Sequence, residues 1–222
     1  MKSIKKTIND ENVVFDYSGG VFLENLKTLI FSDLHLGKSL SLIKNGNFIP
    51  SFDIDETLIN LKKIVLWYNP NKVIFLGDSF HENKSIQEIN DNYINFLNDI
   101  LKDLEVIWIE GNHDFNLFVK EKITGRFKNS YQLRNFNFVH IKNNHPSEKK
   151  FEFSGHFHPK VRFRFNRINY NYKCFILTNN FCILPSFGAY TGGLDIRSNE
   201  LKNIIPLKKT IFALGGNIIK EI

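Results

Sequence analysis

The chain has 222 residues, 42% hydrophobic and 23% charged, which is enough for one well-buried domain and too short for two comfortable ones, so a single domain over residues 1–222 is expected. Its net charge of +6, 29 Lys and Arg against 23 Asp and Glu, suits a polyanionic partner without requiring one. The basic start Met1-Lys2-Ser3-Ile4-Lys5-Lys6 runs into Thr7-Ile8-Asn9-Asp10 with no apolar signal core, and no later run is long enough to span a bilayer, so the cytoplasm is the expected location and no membrane partner is expected.

Val13-Val14-Phe15, the Gly19-Gly20 turn and Val21-Phe22-Leu23 read as a hairpin leading into a buried strand at Thr28-Leu29-Ile30-Phe31-Ser32. After a loop, Asp53 and Glu56 precede Leu58, Leu61, Ile64, Val65 and Trp67 at helical spacing, and Asn69-Pro70 ends that helix. Lys72-Val73-Ile74-Phe75-Leu76 is a continuous apolar run, as in a strand covered on both faces. Ser85 and Glu88 have capping-box spacing, and Ile86, Ile89, Tyr93, Leu97, Ile100 and Leu104 carry the stripe of a second helix. Val106-Ile107-Trp108-Ile109 returns as a strand.

Beyond residue 125 the period falls to two, at Phe136-Phe138-His140, Phe151-Phe153 and Val161-Phe163-Phe165. Thr178-Asn179-Asn180 joins Cys174-Phe175-Ile176-Leu177 to Phe181-Cys182-Ile183-Leu184 as a hairpin. Cys174 and Cys182, the only cysteines, match no zinc or redox spacing and read as buried small hydrophobes. The order of elements predicts an α/β fold, a two-sheet sandwich with helices outside, and no repeat or linker interrupts it.

Four short stretches each follow an apolar run: Asp33-Leu34-His35, Gly77-Asp78-Ser79-Phe80-His81, Gly111-Asn112-His113-Asp114 and Gly155-His156-Phe157-His158. Asp, Asn and His bind borderline divalent metals through oxygen and nitrogen, and ligands of α/β sheets sit at the carboxyl ends of strands. Their order predicts a two-metal phosphoesterase site. Asp33, His35 and His158 would hold one ion, and Asn112, His140 and His156 the other, with Asp78 bridging. His145-Pro146 lies close enough to offer an alternative to His140. Two dications against two carboxylates leave about +2, or about +1 with a bridging hydroxide, a site that attracts phosphate. His113 is placed to protonate the leaving oxygen, Asp114 to hold its imidazole, and His81 to line the cleft towards substrate. The donors lack thiolate, which favours manganese or iron over a structural zinc site; manganese is the expected ion, with iron or zinc as alternatives. The stretch from Lys160 to Lys173, with Arg162, Arg164, Arg167, Tyr170 and Tyr172, reads either as a nucleic-acid strip or as a solvated strand face. In the first reading Arg162 and Arg164 bind substrate.

These motifs resemble the calcineurin-like metallophosphoesterase superfamily, which implies a four-layer α/β/β/α sandwich of two mixed sheets flanked by helices. Ser32-Asp33-Leu34-His35-Leu36-Gly37-Lys38, Gly155-His156-Phe157-His158-Pro159 and Leu184-Pro185-Ser186-Phe187-Gly188-Ala189-Tyr190-Thr191-Gly192-Gly193 resemble, within it, the ligase-associated DNA damage response endonucleases of the PdeM family. By that resemblance Asp33, His35, Asp78, Asn112, His140, His156 and His158 are metal ligands and His113 is the catalytic histidine. The resemblance also implies a DNA substrate and a repair setting that includes a DNA ligase, a helicase and an exonuclease. In the family a proline commonly follows the lone His, whereas Ile141-Lys142 follows His140 here. Ser-Asp-Leu-His-Leu is also similar to UDP-2,3-diacylglucosamine hydrolases, but those carry Arg where His113 stands. A small phosphomonoesterase or nucleotide phosphodiesterase of the same superfamily, and a non-catalytic module of the same fold, are the remaining alternatives.

Overall fold

A computed structural model describes residues 1–81, 89–113, 117–143 and 150–222. The first sheet runs in spatial order through β1 (Ser3–Ile8), β2 (Glu11–Asp16), β3 (Val21–Leu23), β4 (Thr28–Phe31), β5 (Lys72–Leu76), β6 (Glu105–Ile109) and β7 (Arg126–Lys128). β1 to β4 form an antiparallel meander, and β4 to β7 are parallel. Parallel neighbours need crossovers, which α1 (Lys38–Lys44), α2 (Asp53–Tyr68), α3 (Asp91–Leu101) and α4 (Leu117–Lys122) lie within.

The second sheet contains β8 (Ser130–Leu133), β9 (Phe136–Val139), β10 (Phe151–Ser154), β12 (Ile168–Leu177), β13 (Phe181–Ile183), β14 (Thr210–Gly215) and β15 (Ile218–Glu221), in the order β15-β14-β12-β13-β10-β9-β8. β9, β10 and β13 are parallel to one another. β11 (Lys160–Phe165) lies off that path and pairs with the first part of β12.

Alternation on the central strands explains their apolar runs. Val73 and Phe75 of β5, with Val106 and Trp108 of β6, pack under Leu58 and Leu61 of α2 and Leu97 of α3. Their neighbours Ile74, Leu76, Ile107 and Ile109 point the other way, into a core shared with Phe136, Phe138, Phe153, Phe175 and Phe212 of the second sheet. The outer face of the second sheet, with Cys174, Ile176 and Ile183, is covered by Leu201 of α5 (Asn199–Lys202) and by Ile205. The expected sandwich of two mixed sheets is present, and among the described residues its second helical layer is this one short helix with its adjoining loops. Both cysteines are free and buried, as expected.

α2 ends where Asn69 turns left-handed at φ 44°, its N–H returning to the Val65 carbonyl, one residue before Pro70. Trp67 departs from the expected stripe and is 78% exposed. The buried face steps from Leu58 to Leu61 to Val65, and Tyr68 rather than Trp67 continues that spacing. The capping box at Ser85 and Glu88, with Ile86, lies outside the described residues. α3 begins at Asp91, its first turn capped by the Asn90 side chain. The sequence reading did not anticipate β1, β7, β8, β14, β15, α1, α4 or α5. Lys5 and Lys6 mark β1 as an edge strand, where charge replaces the apolar signature.

Phe153 is fully buried and stacks on Phe138 at 5.7 Å, at the centre of the shared core. Phe153→Ala is expected to cost about 3–5 kcal/mol and Trp67→Ala less than about 0.5 kcal/mol in urea unfolding; equal losses would contradict this packing.

Candidate metal centre

The carboxyl ends of β4, β5 and β6 in the first sheet meet those of β9 and β10 in the second, and each strand delivers one motif to the meeting point. Asp33, His35, Asp78, His156 and His158 all adopt left-handed backbone, with φ of 52°, 45°, 46°, 69° and 44°. Such turns aim a side chain back over the strand end, at an expense of about 1–2 kcal/mol each for a residue with a Cβ. Hydrogen bonds hold them: Asp33 N–H to the Gly77 carbonyl at 3.2 Å and His35 N–H to the Asp78 carbonyl at 3.0 Å. Two glycines permit the crowding. A Cβ on Gly77 would overlap the His140 ring, and one on Gly155 would overlap the Ser32 hydroxyl and Asp33.

Two donor groups result. Asp33, His35 and His158 present atoms within 4.8 Å of one another, and so do Asp78, His140 and His156. Asp78 faces both groups, its Oδ2 lying 3.4 Å from His140 Nε2 and 4.0 Å from His35 Nε2. His35 Nε2 and His158 Nε2 approach to 3.3 Å, and His156 Nδ1 and His140 Nε2 to 3.2 Å. Ring nitrogens and carboxylate oxygens converging this closely, without thiolate, suit divalent cations. His140 Nδ1 is 2.7 Å from the Leu76 carbonyl, so Nδ1–H donates there and Nε2 is left facing Asp78.

The charges are consistent with ligation. Burial disfavours the charged form of Asp33, but the hydrogen bond from His158 and the charges of His158 and His140 hold it below the usual carboxylate value. Asp78 is likewise held well below it, against burial, by its hydrogen bond with His140. Burial pushes His35 down to about 3. Burial and the nearby His140 charge lower His156. His140 is raised to about 9: burial opposes the charge, and the Asp78 hydrogen bond with the Asp33 and Asp78 charges overcomes it.

The structure thus gathers Asp33, His35, Asp78, His140, His156 and His158. Asn112 is exposed and borders the same hollow as Gly111 and His140. His113 N–H donates to Asp78 Oδ1 at 3.0 Å, and its Nε2 lies 3.9 Å from Asp78 Oδ2. His81 sits with Nδ1 3.2 Å from His35 Nδ1, and its ring stacks at 5.8 Å from that of His113. Arg162 and Arg164 lie apart from this cluster, on β11. Asp114 and His145 lie outside the described residues.

Sequence reading missed two supports. Ser32 donates a short hydrogen bond to Asp33 Oδ2. Lys173 Nζ donates to the Ser186 and Gly188 carbonyls at 2.8 and 2.7 Å. That loop in turn sends Phe187 N–H to the Ser32 carbonyl and Gly188 N–H to the Asp33 carbonyl. Ser32 is adjacent to a motif, which is a usable signal; nothing local marks Lys173, because its partners lie in another loop.

The raised His140 fixes a sign. In the metal-free protein its proton adds stability that is complete below the unfolded imidazole value of 6.5 and is lost as pH rises through about 9. Asp78→Asn removes the main partner and leaves the burial, so His140 is expected to titrate much lower by imidazole NMR of the metal-free protein. An unmoved titration would exclude Asp78 as the group that holds its proton.

The calcineurin-like phosphoesterase family model matches residues 26–217. A search of curated proteins finds no match. Among solved structures, the Pseudomonas putida nuclease MPE is similar in fold, with a TM-score of 0.74 at 18% identity over 99% of this chain and 100% of that one. Yfce, a phosphoesterase from E. coli, gives a TM-score of 0.45 at 12% identity over 88% of this chain and 97% of that one. The family match spans all five strand-end motifs, and with the donor groups they bring together, this chain belongs to the calcineurin-like phosphoesterase family and is a metal-dependent phosphoesterase.

Proposed function

We propose that this chain is a dinuclear-metal phosphodiesterase that cleaves nucleic acid, a cytoplasmic endonuclease of DNA repair acting alongside a DNA ligase, a helicase and an exonuclease. The observation that carries the dinuclear reading is Asp78 Oδ2, which faces His140 of one donor group and His35 of the other. In this reading Asp33, His35 and His158 hold one ion, Asn112, His140 and His156 hold the second, and Asp78 is shared. Divalent cations bound there, with manganese the first choice and iron or zinc the alternatives, supply a Lewis acid for the phosphoryl oxygens and lower the pKa of water towards about 7.

The chain's own residues supply the rest. His113, its side chain 43% exposed beside Asp78, delivers a proton to the departing oxygen. His81 lies against both His35 and His113, where it fixes their orientation and meets substrate. His35 is kept neutral by burial, so its lone pair is available at physiological pH. The net charge of +6 and the nuclease with a similar fold support a nucleic-acid substrate.

Assays with bis-p-nitrophenyl phosphate and with DNA test the reading. Activity with manganese is expected, and Asp78→Ala and His113→Ala each lower turnover by at least about 100-fold. Only Asp78→Ala also lowers bound metal, measured by elemental analysis. Parent-like turnover in His113→Ala would remove its acid role. A protein inert with Mn, Fe, Co, Ni and Zn would be a binding module.

A further inference from the structure

The ribbon formed by β11 and the first part of β12 is sorted by face. Residues directly opposite in an antiparallel pair share a face, and here Lys160 faces Lys173, Arg162 faces Asn171 and Arg164 faces Asn169. The alternate residues, Val161 opposite Tyr172 and Phe163 opposite Tyr170, make the other face, where the Phe163 and Tyr170 rings stack at 5.3 Å. At its base the aromatic face packs on the cluster around Leu201 and Ile205. The cationic face turns towards the loop that closes over Asp33. Lys173 holds that loop, and Lys160 Nζ donates to the Thr191 carbonyl at 3.3 Å.

We propose that this cationic face is a docking track for single-stranded nucleic acid, along which Arg164, Arg162 and Lys160 lead successive phosphates into the metal cleft. The proposal deepens the nuclease reading and rests on it. Alternate residues of a strand stand about 6.6 Å apart, so the three cations form a line, as a polynucleotide backbone requires and a small ester does not. A concavity of about 600 Å³ lies against Arg162, Arg164, Asn169 and Asn171. Phe163 and Tyr170 also border it, as do Asp195 and Arg197, which pair with each other, Arg197 Nε and Nη2 each lying 3.0 Å from an Asp195 oxygen. Among the described residues neither Arg162 nor Arg164 has a salt-bridge partner within 4.0 Å; the Asp195 carboxylate also feels the Arg162 charge, but its ion pair is with Arg197, so three guanidinium groups against one carboxylate leave net positive charge for a polyanion to neutralise. Asp33 and Asp78 are 0% and 3% exposed, so the reacting phosphate must descend to a recessed floor. One strand reaches it more readily than a paired duplex.

Fluorescence anisotropy of a labelled oligothymidylate in EDTA measures binding apart from hydrolysis. Arg162→Ala with Arg164→Ala is expected to weaken binding at least tenfold and to lower the slope of log K against log salt by about 1.4, two phosphate contacts at about 0.7 each. The paired Arg→Lys substitutions should restore the slope. Lys208→Ala with Lys209→Ala, beside the opposite end of β12, should behave as the parent. A slope unchanged in the paired Arg→Ala variant, or parent affinity for a blunt duplex equal to that for the single strand, would overturn the proposal. If either occurs while the parent still hydrolyses bis-p-nitrophenyl phosphate, the track falls and the phosphodiesterase stands; ribbon-dependent binding by a protein inert on every ester would be the reverse.

Discussion

Asp33 and Asp78 each leave the end of a strand in the first sheet and reach groups from the second. Asp33 accepts the His156 backbone N–H at 3.0 Å and lies 3.0 Å from His158 Nε2. Asp78 lies 3.4 Å from His140 Nε2 and also accepts the His113 N–H. These carboxylates are buried, and an unpaired buried charge is costly, so the two sheet edges must stay in register for either to be satisfied. The packing of Phe138 and Phe153 against Ile74 and Ile107 sets that register from below.

Five left-handed non-glycine residues within one small volume represent local strain that the same network holds in place. The strain has a geometric use. A strand continuing straight on would carry its side chains past the site, whereas a left-handed residue at the strand end turns Asp33, Asp78 and His156 inward. Gly77 and Gly155 let two such loops pass each other without a Cβ between them. In the metal-free protein the His140 proton offsets some of the carboxylate charge of Asp78 and Asp33.

The two sheets differ in cover. Parallel crossovers bring α1 to α4 against the first sheet, whereas among the described residues the outer face of the second sheet carries only α5 and its loops. The sparse cover leaves the β11–β12 ribbon projecting with both faces chemically distinct. Its base adjoins the candidate metal centre in sequence, Lys160 standing two residues after His158.

Much of this was legible in the sequence because strand-end chemistry is local. Asp33-Leu34-His35, Gly77-Asp78 and Gly111-Asn112-His113 each follow an apolar run that is buried on both faces, and Gly155-His156-Phe157-His158 follows the alternating, buried Phe151-Glu152-Phe153-Ser154, so the strands, their ends and the candidate ligands could be read together. The helix stripe at Leu58, Leu61 and Val65 was equally plain, and Trp67 was misplaced because a step of two or three residues along one turn is hard to separate by composition. The edge strand β1 was hidden by its lysines, and the weight of Lys173 by partners that come from a different loop. The sequence alone determined which residue types stand at which strand ends, because periodicity and breakers act over a few positions. Only the tertiary structure decided that Asp78 lies between His35 and His140, and which face of the ribbon carries Arg162 and Arg164, because sheet pairing and register are set by contacts between segments far apart in the chain.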